Sequence, residues 1–255
     1  MSLAARGLTL RVPGRTLVAA LEIEIRPGQC WAVLGANGSG KSSVLAALAG
    51  LRTPGEGAVT LEGQTLGAYG RRELARRVGI LLQDETESFW GATLDYVRLG
   101  ALARGAGGFA PDPGIDRDAR EALAALDLER NAAQPYRTLS GGERQRARIA
   151  QLLVQAPRFY LLDEPLAHLD VRHQVATIER LAALARGGHA VAMALHEPWL
   201  AARYCDHALL LYDSARFSAG PAETLLSRAP LEALYRCPLE AFEEAGRRLF
   251  PPVAT

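Results

Sequence analysis

One glycine-rich segment constrains the fold of this chain more than any other feature. An apolar run at residues 30–34 leads into the sequence GANGSGKS at residues 35–42, and a helical pattern follows at residues 43–51. A strand, a turn and a helix in this order fit the GxxxxGK[ST] pattern, in which successive backbone N–H groups surround phosphate oxygens. Glycine is required wherever a Cβ atom would obstruct that contact. The sequence therefore predicts an α/β fold with a phosphate-binding loop.

The residues of this loop have separate predicted roles. The helix that begins near Lys41 directs the positive end of its dipole at the phosphates. Lys41 is expected to bridge the β- and γ-phosphates of a nucleotide, and the Ser42 hydroxyl is expected to bind Mg²⁺. We predict that the nucleotide contacts Gly35, Ala36, Asn37, Gly38, Ser39, Gly40, Lys41, Ser42 and Ser43.

A second apolar run, at residues 159–162, ends in Asp163 and Glu164 and is followed by Pro165. Ligands of open α/β sheets bind at the carboxyl ends of the strands, beside the phosphate loop. We expect Asp163 to hold Mg²⁺, mostly through water, and Glu164 to orient and deprotonate an attacking water as the general base. Two adjacent acids also occur in ordinary solvated turns, but the apolar run before them favours the nucleotide site.

A third motif, LSGGERQ at residues 139–145, opens a predicted helix at residues 143–154. Ser140 and Glu143 have the spacing of a capping box, in which each side chain accepts a hydrogen bond from the other residue's backbone N–H. Capping alone does not require Gly141 and Gly142 in tandem. Because the two glycines let a ligand approach the exposed N–H groups closely, the motif also predicts a ligand contact at the helix start.

The LSGGERQ motif, the phosphate loop and the YLLDEP segment resemble the nucleotide-binding subunit of ATP-binding cassette (ABC) transporters, over roughly residues 5–225 and in that family's order. The resemblance implies ATP hydrolysis with Mg²⁺. It also implies an α/β fold with a P-loop NTPase core, an N-terminal antiparallel β subdomain and an inserted α-helical subdomain. In that family two copies pair head to tail. Ser140, Gly141 and Gly142 of one copy would then contact the ATP bound at Lys41 of the other.

Three further positions take their roles from this resemblance. Gln83 matches the Q-loop glutamine, which senses Mg²⁺ and the attacking water, and Asp170 matches the D-loop aspartate at the subunit interface. His196 matches the switch histidine, which contacts the γ-phosphate. The implied catalytic set is Glu164, His196, Lys41 and Gln83, and the implied Mg²⁺ set is Ser42, Gln83 and Asp163.

The chain departs from the family at the position that contacts adenine. The family often stacks an aromatic side chain on the base from the first hairpin, but the residues near Val12 include no Tyr or Phe. We therefore expect adenine packing to be weaker or to come from other residues, which leaves base selectivity open.

The chain divides into three predicted parts. The α/β core comprises residues 1–87 and 156–220. Residues 88–155 are rich in Ala, Leu and Arg at helical spacing and predict the inserted helical subdomain. Residues 221–255 predict a C-terminal helical tail.

Local patterns add detail to this division. Alternating segments at residues 3–12 and 17–25 predict antiparallel strands joined by a turn at residues 13–15. A glycine- and proline-rich stretch at residues 105–114 predicts a surface loop, and the tail predicts two short helices before a frayed end at Pro251-Pro252.

Composition and charge exclude several classes of protein. The 255 residues carry a net charge of +1, so overall charge favours neither nucleic acid nor an anionic membrane as a partner. No apolar run approaches the roughly 20 residues of a membrane span, and the N-terminus lacks a signal-peptide pattern. The three cysteines have no metal-ligand spacing and predict reduced thiols. We expect a peripheral protein at the cytoplasmic face of the inner (plasma) membrane.

Two segments, residues 63–83 and 223–242, resemble importers for cobalamin, ferric siderophores and haem, which we rank in that order. The resemblance implies integral-membrane permease subunits as partners and, indirectly, a substrate-binding protein, with no nucleic acid. Residues 84–90 are expected to line the groove that receives a permease helix. Phe89 and Trp90 are either contacts in that groove or a buried aromatic pair.

Two other classes stay open. A soluble ABC-type ATPase acting on nucleic acid or ribosomes usually carries a coiled-coil insertion or a second cassette, and the sequence shows neither. A small-molecule kinase would have no use for LSGGERQ. The arginine-rich run at residues 71–77 has apolar residues at helical spacing, which favours a solvated helix face over a nucleic-acid surface.

Overall fold

Two main sheets form the frame of the molecule. The structure is a computed structural model that describes residues 1–83, 89–105, 112–240, 242–244 and 247–249. In chain order the strands are β1 (Leu3–Val12), β2 (Arg15–Ile25), β3 (Cys30–Leu34), β4 (Glu56–Leu61), β5 (Gln64–Thr65), β6 (Val78–Leu81), β7 (Phe159–Asp163), β8 (Ala190–Ala194), β9 (His207–Leu211), β10 (Phe217–Pro221), β11 (Phe242–Glu244) and β12 (Arg247–Leu249).

The α-helices lie mainly between strands of the second sheet. They are α1 (Lys41–Leu48), α2 (Arg71–Arg77), α3 (Thr93–Arg98), α4 (Pro113–Ala124), α5 (Gly141–Gln155), α6 (Val171–Arg186), α7 (Pro198–Tyr204), α8 (Ala222–Leu225) and α9 (Arg228–Tyr235). None of the helices in the described part of the chain combines the length and apolar character needed to cross a bilayer. The formation of α2 confirms the helix predicted from the arginine-rich run.

The first sheet is antiparallel and has the order β2-β1-β4-β5. The predicted N-terminal hairpin is confirmed, with Val12 opposite Arg15 across a two-residue turn. Gly14 has a φ of 74° in this turn, a conformation that glycine adopts at little cost. Strand β2 therefore begins two residues before the predicted segment.

The second sheet has the order β10-β9-β3-β8-β7-β6, and only β10 runs antiparallel to its neighbour. This mixed architecture confirms the predicted α/β class with an N-terminal antiparallel sheet. Strand β8 lies between β3 and β7. Because parallel strands end at one edge, the residues that follow β3, β8 and β7 are gathered there.

The strands of the second sheet are buried on both faces. In β3, Trp31 and Val33 pack with the antiparallel sheet and α1, whereas Cys30, Ala32 and Leu34 pack on the opposite side with residues of α5 and α6. This alternation explains the continuous apolar run in the sequence, because a strand covered on both faces has no polar side. Each large apolar side chain buried in this way contributes about 1.5–3 kcal/mol.

Helix α1 differs from its predicted bounds at both ends. It begins at Lys41 because Gly40, with a φ of 106°, ends the phosphate loop directly before it. It ends at Leu48, and Gly50 follows with a φ of 75°. Left-handed glycines commonly terminate helices. The helix is therefore shifted toward the phosphate loop relative to the prediction of residues 43–51.

Helices α3, α4 and α5 form the segment between β6 and β7. Helix α4 begins at Pro113, and its N-cap residue Asp112 accepts a hydrogen bond from the Gly114 N–H over 2.8 Å. The predicted surface loop is therefore too long at its C-terminal end. Its residues 106–111 lie outside the described part of the chain.

The C-terminal tail is only partly helical. Helices α8 and α9 confirm the two predicted short helices. The chain then forms β11 and β12, which pair antiparallel with Phe242 opposite Leu249, so the prediction of a helical tail is wrong over these residues. Three-residue strands are too short to produce a readable alternation. Pro251-Pro252, predicted as a frayed end, lies outside the described residues.

The turn after α3 packs directly on helix α5 through Gly100. A Cβ atom on Gly100 would lie 2.1 Å from Gln151 O and 2.9 Å from Gln155 N. Because backbone cannot yield as a side-chain end can, Gly100→Ala is expected to lower the free energy of unfolding by about 1–3 kcal/mol in urea titrations. Gly67→Ala is the control, since no atom lies within 4 Å of its Cβ position. Equal losses in the two variants would contradict this close contact.

Candidate functional site

The phosphate loop follows β3 and depends on glycine for two different reasons. Gly38 and Gly40 have φ angles of 75° and 106°, which a side chain would strain. Gly35 has no such angle, but a Cβ atom there would lie 2.4 Å from Ser39 Oγ and 2.7 Å from Leu211 O. The loop therefore keeps its curvature only with glycine at these positions, as the sequence pattern predicts.

Lys41 is buried at the start of α1, with 5% of its surface exposed. Its Nζ donates hydrogen bonds to Gly35 O at 2.9 Å and Ala36 O at 3.3 Å, so the ammonium group lies within the loop. Burial lowers the pKa of Lys41, and the negative charges of Glu164 and Asp163 partly offset that effect. Lys41 therefore lies close enough to the two acids after β7 for their negative charges to favour its charged form.

Asp163 ends β7 and is 2% exposed. Burial raises the pKa of its carboxyl group, while a hydrogen bond from the Ser42 hydroxyl acts in the opposite direction. Its Oδ1 is buried without a hydrogen-bond partner among the described residues. Since a buried carboxylate oxygen normally has a partner, Asp163 and Ser42 together present an incomplete oxygen site.

The Glu164 carboxylate is contacted by two other predicted site residues. His196 Nε2, after β8, lies 2.8 Å from Glu164 Oε1. Gln83 Nε2, after β6, donates to Glu164 Oε2 over 3.2 Å. The backbone of Glu164 has a φ of 49°, and strained backbone of this kind is frequent at functional sites. The structure thus brings Glu164, His196 and Gln83 together at the edge that also holds Lys41.

Two residues of α5, Gln145 and Arg148, belong to the same network and were not predicted as site residues. Gln145 Nε2 donates to the backbone oxygen of Glu164 over 3.0 Å. Arg148 donates to Gln145 Oε1 over 3.0 Å and to the backbone oxygen of Leu82. Gln145 belongs to the LSGGERQ motif, so its position was available as a signal. Nothing in the sequence marks Arg148.

The start of α5 has the predicted capping box. Ser140 Oγ accepts from the Glu143 N–H over 3.3 Å, and Glu143 Oε2 accepts from the Ser140 N–H over 2.8 Å. Asn131 Nδ2 donates to Glu143 Oε1 over 3.1 Å. The bond from the Ser140 backbone is the largest cause of a lowered Glu143 pKa. Ser140 and Gly141 are exposed at this helix start.

The two glycines of the motif differ in their surroundings. A Cβ atom on Gly142 would lie 2.8 Å from the backbone oxygen of His168, which a small shift cannot relieve. A Cβ atom on Gly141 would lie 3.6 Å from His168 Cβ, an ordinary contact. Gly142 is therefore required by packing within the chain, whereas Gly141 is not.

Asp170 caps helix α6. Its Oδ1 accepts from the His173 N–H over 2.9 Å and lies 2.9 Å from His173 Nδ1. The backbone hydrogen bond is the first cause of its lowered pKa. Its side chain is 67% exposed, so the cap leaves the group accessible to another molecule.

Phe89 and Trp90 have different environments. The Phe89 ring packs edge-on against Tyr96 and Tyr136, with centroids 5.5 and 6.1 Å apart. Trp90 is 76% exposed, and the Arg137 guanidinium lies 4.6 Å from its ring centroid. They therefore do not form a buried pair with each other. Residues 84–88, the rest of the predicted groove, lie outside the described chain.

The phosphate loop after a central parallel strand and the adjoining acids define a P-loop nucleotide-binding domain. A profile described as ABC transporter matches residues 18–167. The hemin import ATP-binding protein HmuV of Pseudomonas entomophila (strain L48) is 39% identical over 235 residues, covering 90% of this chain and 90% of that protein. The protein of the same name from Streptomyces coelicolor is 37% identical over 239 residues, covering 94% and 85%.

Solved structures of ABC transporter proteins have the same fold as this chain. A metal-chelate type ABC transporter in an inward-facing conformation has a TM-score of 0.84 at 26% identity, over 99% of this chain and 98% of that chain. The cbiO1 protein of Clostridium perfringens, part of the ABC transporter complex cbiONQ, shares the fold with a TM-score of 0.73 at 24% identity over 90% and 92%. The chain therefore belongs to the ABC transporter family. It is an ATPase subunit whose hydrolysis of ATP is coupled to transport.

The capping box makes the stability of the site dependent on pH. Since the pKa of Glu143 is lowered by folding, its carboxylate stabilises the native state above its unfolded pKa, about 4.3, and this contribution is lost as pH falls through the folded value. Glu143→Ala is expected to lower the free energy of unfolding by roughly 1–2 kcal/mol at pH 7. The difference should shrink below about pH 4 in chemical-denaturation series.

Two variants control for this effect. Glu143→Gln keeps an acceptor for the Ser140 N–H without the charge, so its loss at pH 7 should be smaller than that of Glu143→Ala, and the difference between the two variants should hardly change with pH. Glu121 is 72% exposed, and Glu121→Ala should change little at any pH. A pH-independent loss in Glu143→Ala would contradict the role of the charge.

Proposed function

We propose that the chain is the ATPase subunit of an importer that takes up haem through a separate permease. The observation that supports hydrolysis most directly is the Glu164 carboxylate, which lies 2.8 Å from His196 Nε2 and 3.2 Å from Gln83 Nε2. The relatives named for hemin import support the direction of transport and the substrate. Haem was third in the order drawn from the sequence, after cobalamin and ferric siderophores, and the names of the relatives favour it.

In the proposed mechanism Glu164 is the general base. His196 and Gln83 fix both oxygens of its carboxylate, so that it can orient a water for in-line attack on the γ-phosphate. Lys41 turns from Gly35 O and Ala36 O to the β- and γ-phosphates, where its charge stabilises the charge that develops. The loop residues Gly35, Ala36, Asn37, Gly38, Ser39, Gly40, Lys41, Ser42 and Ser43 hold the phosphates.

The residues around Asp163 fit Mg²⁺. Its Oδ1 is buried without a partner among the described residues, and its carboxylate accepts from the Ser42 hydroxyl. In the described part of the chain, no group of three or more His, Cys, Asp or Glu side chains is placed so that it could hold a metal ion by itself. This suits an ion that takes most of its ligands from phosphate and water. We propose that Ser42, Asp163 and Gln83 hold Mg²⁺, which neutralises charge on the phosphates when bound.

We propose that a second copy completes each site. Ser140 and Gly141 are exposed at the start of α5, and Gly141 has no packing need for glycine within its own chain. Ser140, Gly141 and Gly142 would thus bind the ATP held at Lys41 of the other copy, with Asp170 at the interface.

The remaining partners are proposed from the surface and the relatives. Trp90, exposed beside Arg137, is the proposed contact for permease subunits, which would place the chain peripherally at the cytoplasmic membrane face with an external substrate-binding protein. In this proposal residues 88–155 form the helical subdomain, residues 1–87 and 156–220 the core, and residues 221–255 the tail.

Changing Glu164 to Gln removes the base but keeps a hydrogen-bonding side chain of the same shape. We expect ATP hydrolysis by Glu164→Gln to fall by about 100-fold or more, with ATP still bound and a dimer trapped. Phosphate release and light scattering measure the two effects. A variant that hydrolyses ATP near the wild-type rate would contradict the assignment of Glu164 as the general base.

The same variant serves as the control for transport. Vesicles that hold the chain with its co-purified permease should accumulate hemin with ATP, and Glu164→Gln vesicles should not. Uptake of cobalamin or a ferric siderophore in place of hemin would overturn the substrate while leaving the ATPase role intact.

Mixing two inactive variants tests the shared site. Lys41→Ala damages the loop of its own copy, and Gly141→Ala damages the contact made to the other copy. In a mixed head-to-tail dimer one site carries both lesions and the other carries none. We therefore expect the mixture to hydrolyse ATP several-fold faster than either variant alone, up to about one quarter of wild type if the sites act independently. A mixture as inactive as its components would contradict a site built from two copies.

A further inference from the structure

One buried arginine of helix α5 contacts both the backbone after β6 and the side chain of Gln145, and each of these leads to the proposed general base. Arg148 is 8% exposed. Its Nη2 donates to the backbone oxygen of Leu82, and its Nη1 lies 3.5 Å from the backbone oxygen of Gln83. Nη1 also donates to Gln145 Oε1 over 3.0 Å. One guanidinium thus joins the segment after β6 to the side chain of Gln145.

Both of these partners continue to Glu164. Gln83 Nε2 donates to Glu164 Oε2 over 3.2 Å, and Gln145 Nε2 donates to the Glu164 backbone oxygen over 3.0 Å. A closed ring of contacts therefore runs from Arg148 through Gln83 to the carboxylate of Glu164. It returns from the peptide group of Glu164 through Gln145.

The chemistry of the ring fixes which way Gln145 faces. A glutamine amide has a donor end and an acceptor end, whereas a guanidinium only donates. Arg148 must therefore face Gln145 Oε1, which turns Nε2 toward the Glu164 oxygen. This bond lies on a residue whose φ is 49°, a conformation that needs support from its surroundings.

The segment that carries Gln83 is held in the same way. Arginine presents several donors in one rigid plane, so it can fix two acceptors relative to each other better than a flexible lysine can. With the backbone at Leu82 and Gln83 tied to α5, the Gln83 side chain starts from a fixed point when it reaches Glu164.

We propose that Arg148 is a positioning residue for ATP hydrolysis. It acts through Gln83 and Gln145, which align the carboxylate and the peptide group of Glu164, and it touches neither the nucleotide nor the attacking water. This inference rests on the role of Glu164 in the proposed function.

The first test replaces Arg148 by Met, which keeps much of the volume and removes every donor. We expect kcat for ATP hydrolysis to fall by about tenfold or more, with KM for ATP within about threefold, because the phosphate loop is untouched. Arg148→Lys keeps a donor and the charge, so it should recover part of the lost kcat.

Arg146 provides a matched control on the same helix. It is 9% exposed and its Nη1 donates to the backbone oxygens of Leu126 and Asp127 over 2.7 and 3.1 Å. Arg146→Met therefore leaves backbone acceptors unpaired in the helical segment instead of beside Glu164. We expect a similar drop in melting temperature in both Met variants, but a kcat within about twofold of wild type for Arg146→Met.

A double-mutant cycle tests the ring itself. If Arg148 acts through Gln145, then adding Gln145→Ala to Arg148→Met should lower kcat by less than Gln145→Ala does in the wild-type chain. Fully additive losses would overturn the ring. An unchanged kcat in Arg148→Met, or an equal loss in Arg146→Met, would overturn the positioning role.

The role of Glu164 is tested separately in the same series. If Glu164→Gln loses activity and Arg148→Met does not, only the positioning inference fails. If Glu164→Gln keeps its activity, the proposed general base fails and the inference fails with it.

Discussion

Strand β8 pairs in parallel with β3 on one side and β7 on the other, and the site is arranged around this pairing. The three strands end at one edge, so the phosphate loop, His196 and the two acids converge although they lie far apart in the chain. Every residue of the three strands is buried. The burial that stabilises the sheet therefore also fixes the relative positions of the polar groups at its edge.

The charged groups at this edge are unfavourable in their buried surroundings. Asp163 and Lys41 are 2% and 5% exposed, and burial disfavours the charged form of each. The opposite charge of each group partly offsets the free-energy cost of burying the charge of the other. Such perturbed groups are typical of sites built for chemistry, where the surrounding core stabilises an arrangement that is unfavourable by itself.

Helix α5 makes polar contacts at three places along its length, and one of them is at this edge. Its start is closed by the capping box of Ser140 and Glu143. Gln145 reaches the Glu164 backbone from the second turn, and at the far end Gln155 Nε2 donates to Ala75 O over 2.7 Å. A displacement of α5 would therefore move groups at both ends of the helix and beside the proposed base together.

The sequence by itself determined the phosphate loop, the acids after β7 and the capping box, because each depends on neighbouring residues whose geometry is set by local rules. It also determined the α/β class through continuous apolar runs. Only the tertiary structure decided that position 142 requires glycine, because the backbone oxygen of His168 in the same chain leaves no space for a Cβ atom. The same holds for the separate environments of Phe89 and Trp90, and for Arg148, which meets Gln83 from 65 residues away. Such contacts form only when the sheet and α5 pack, and no local pattern records which distant backbone groups a buried side chain will meet.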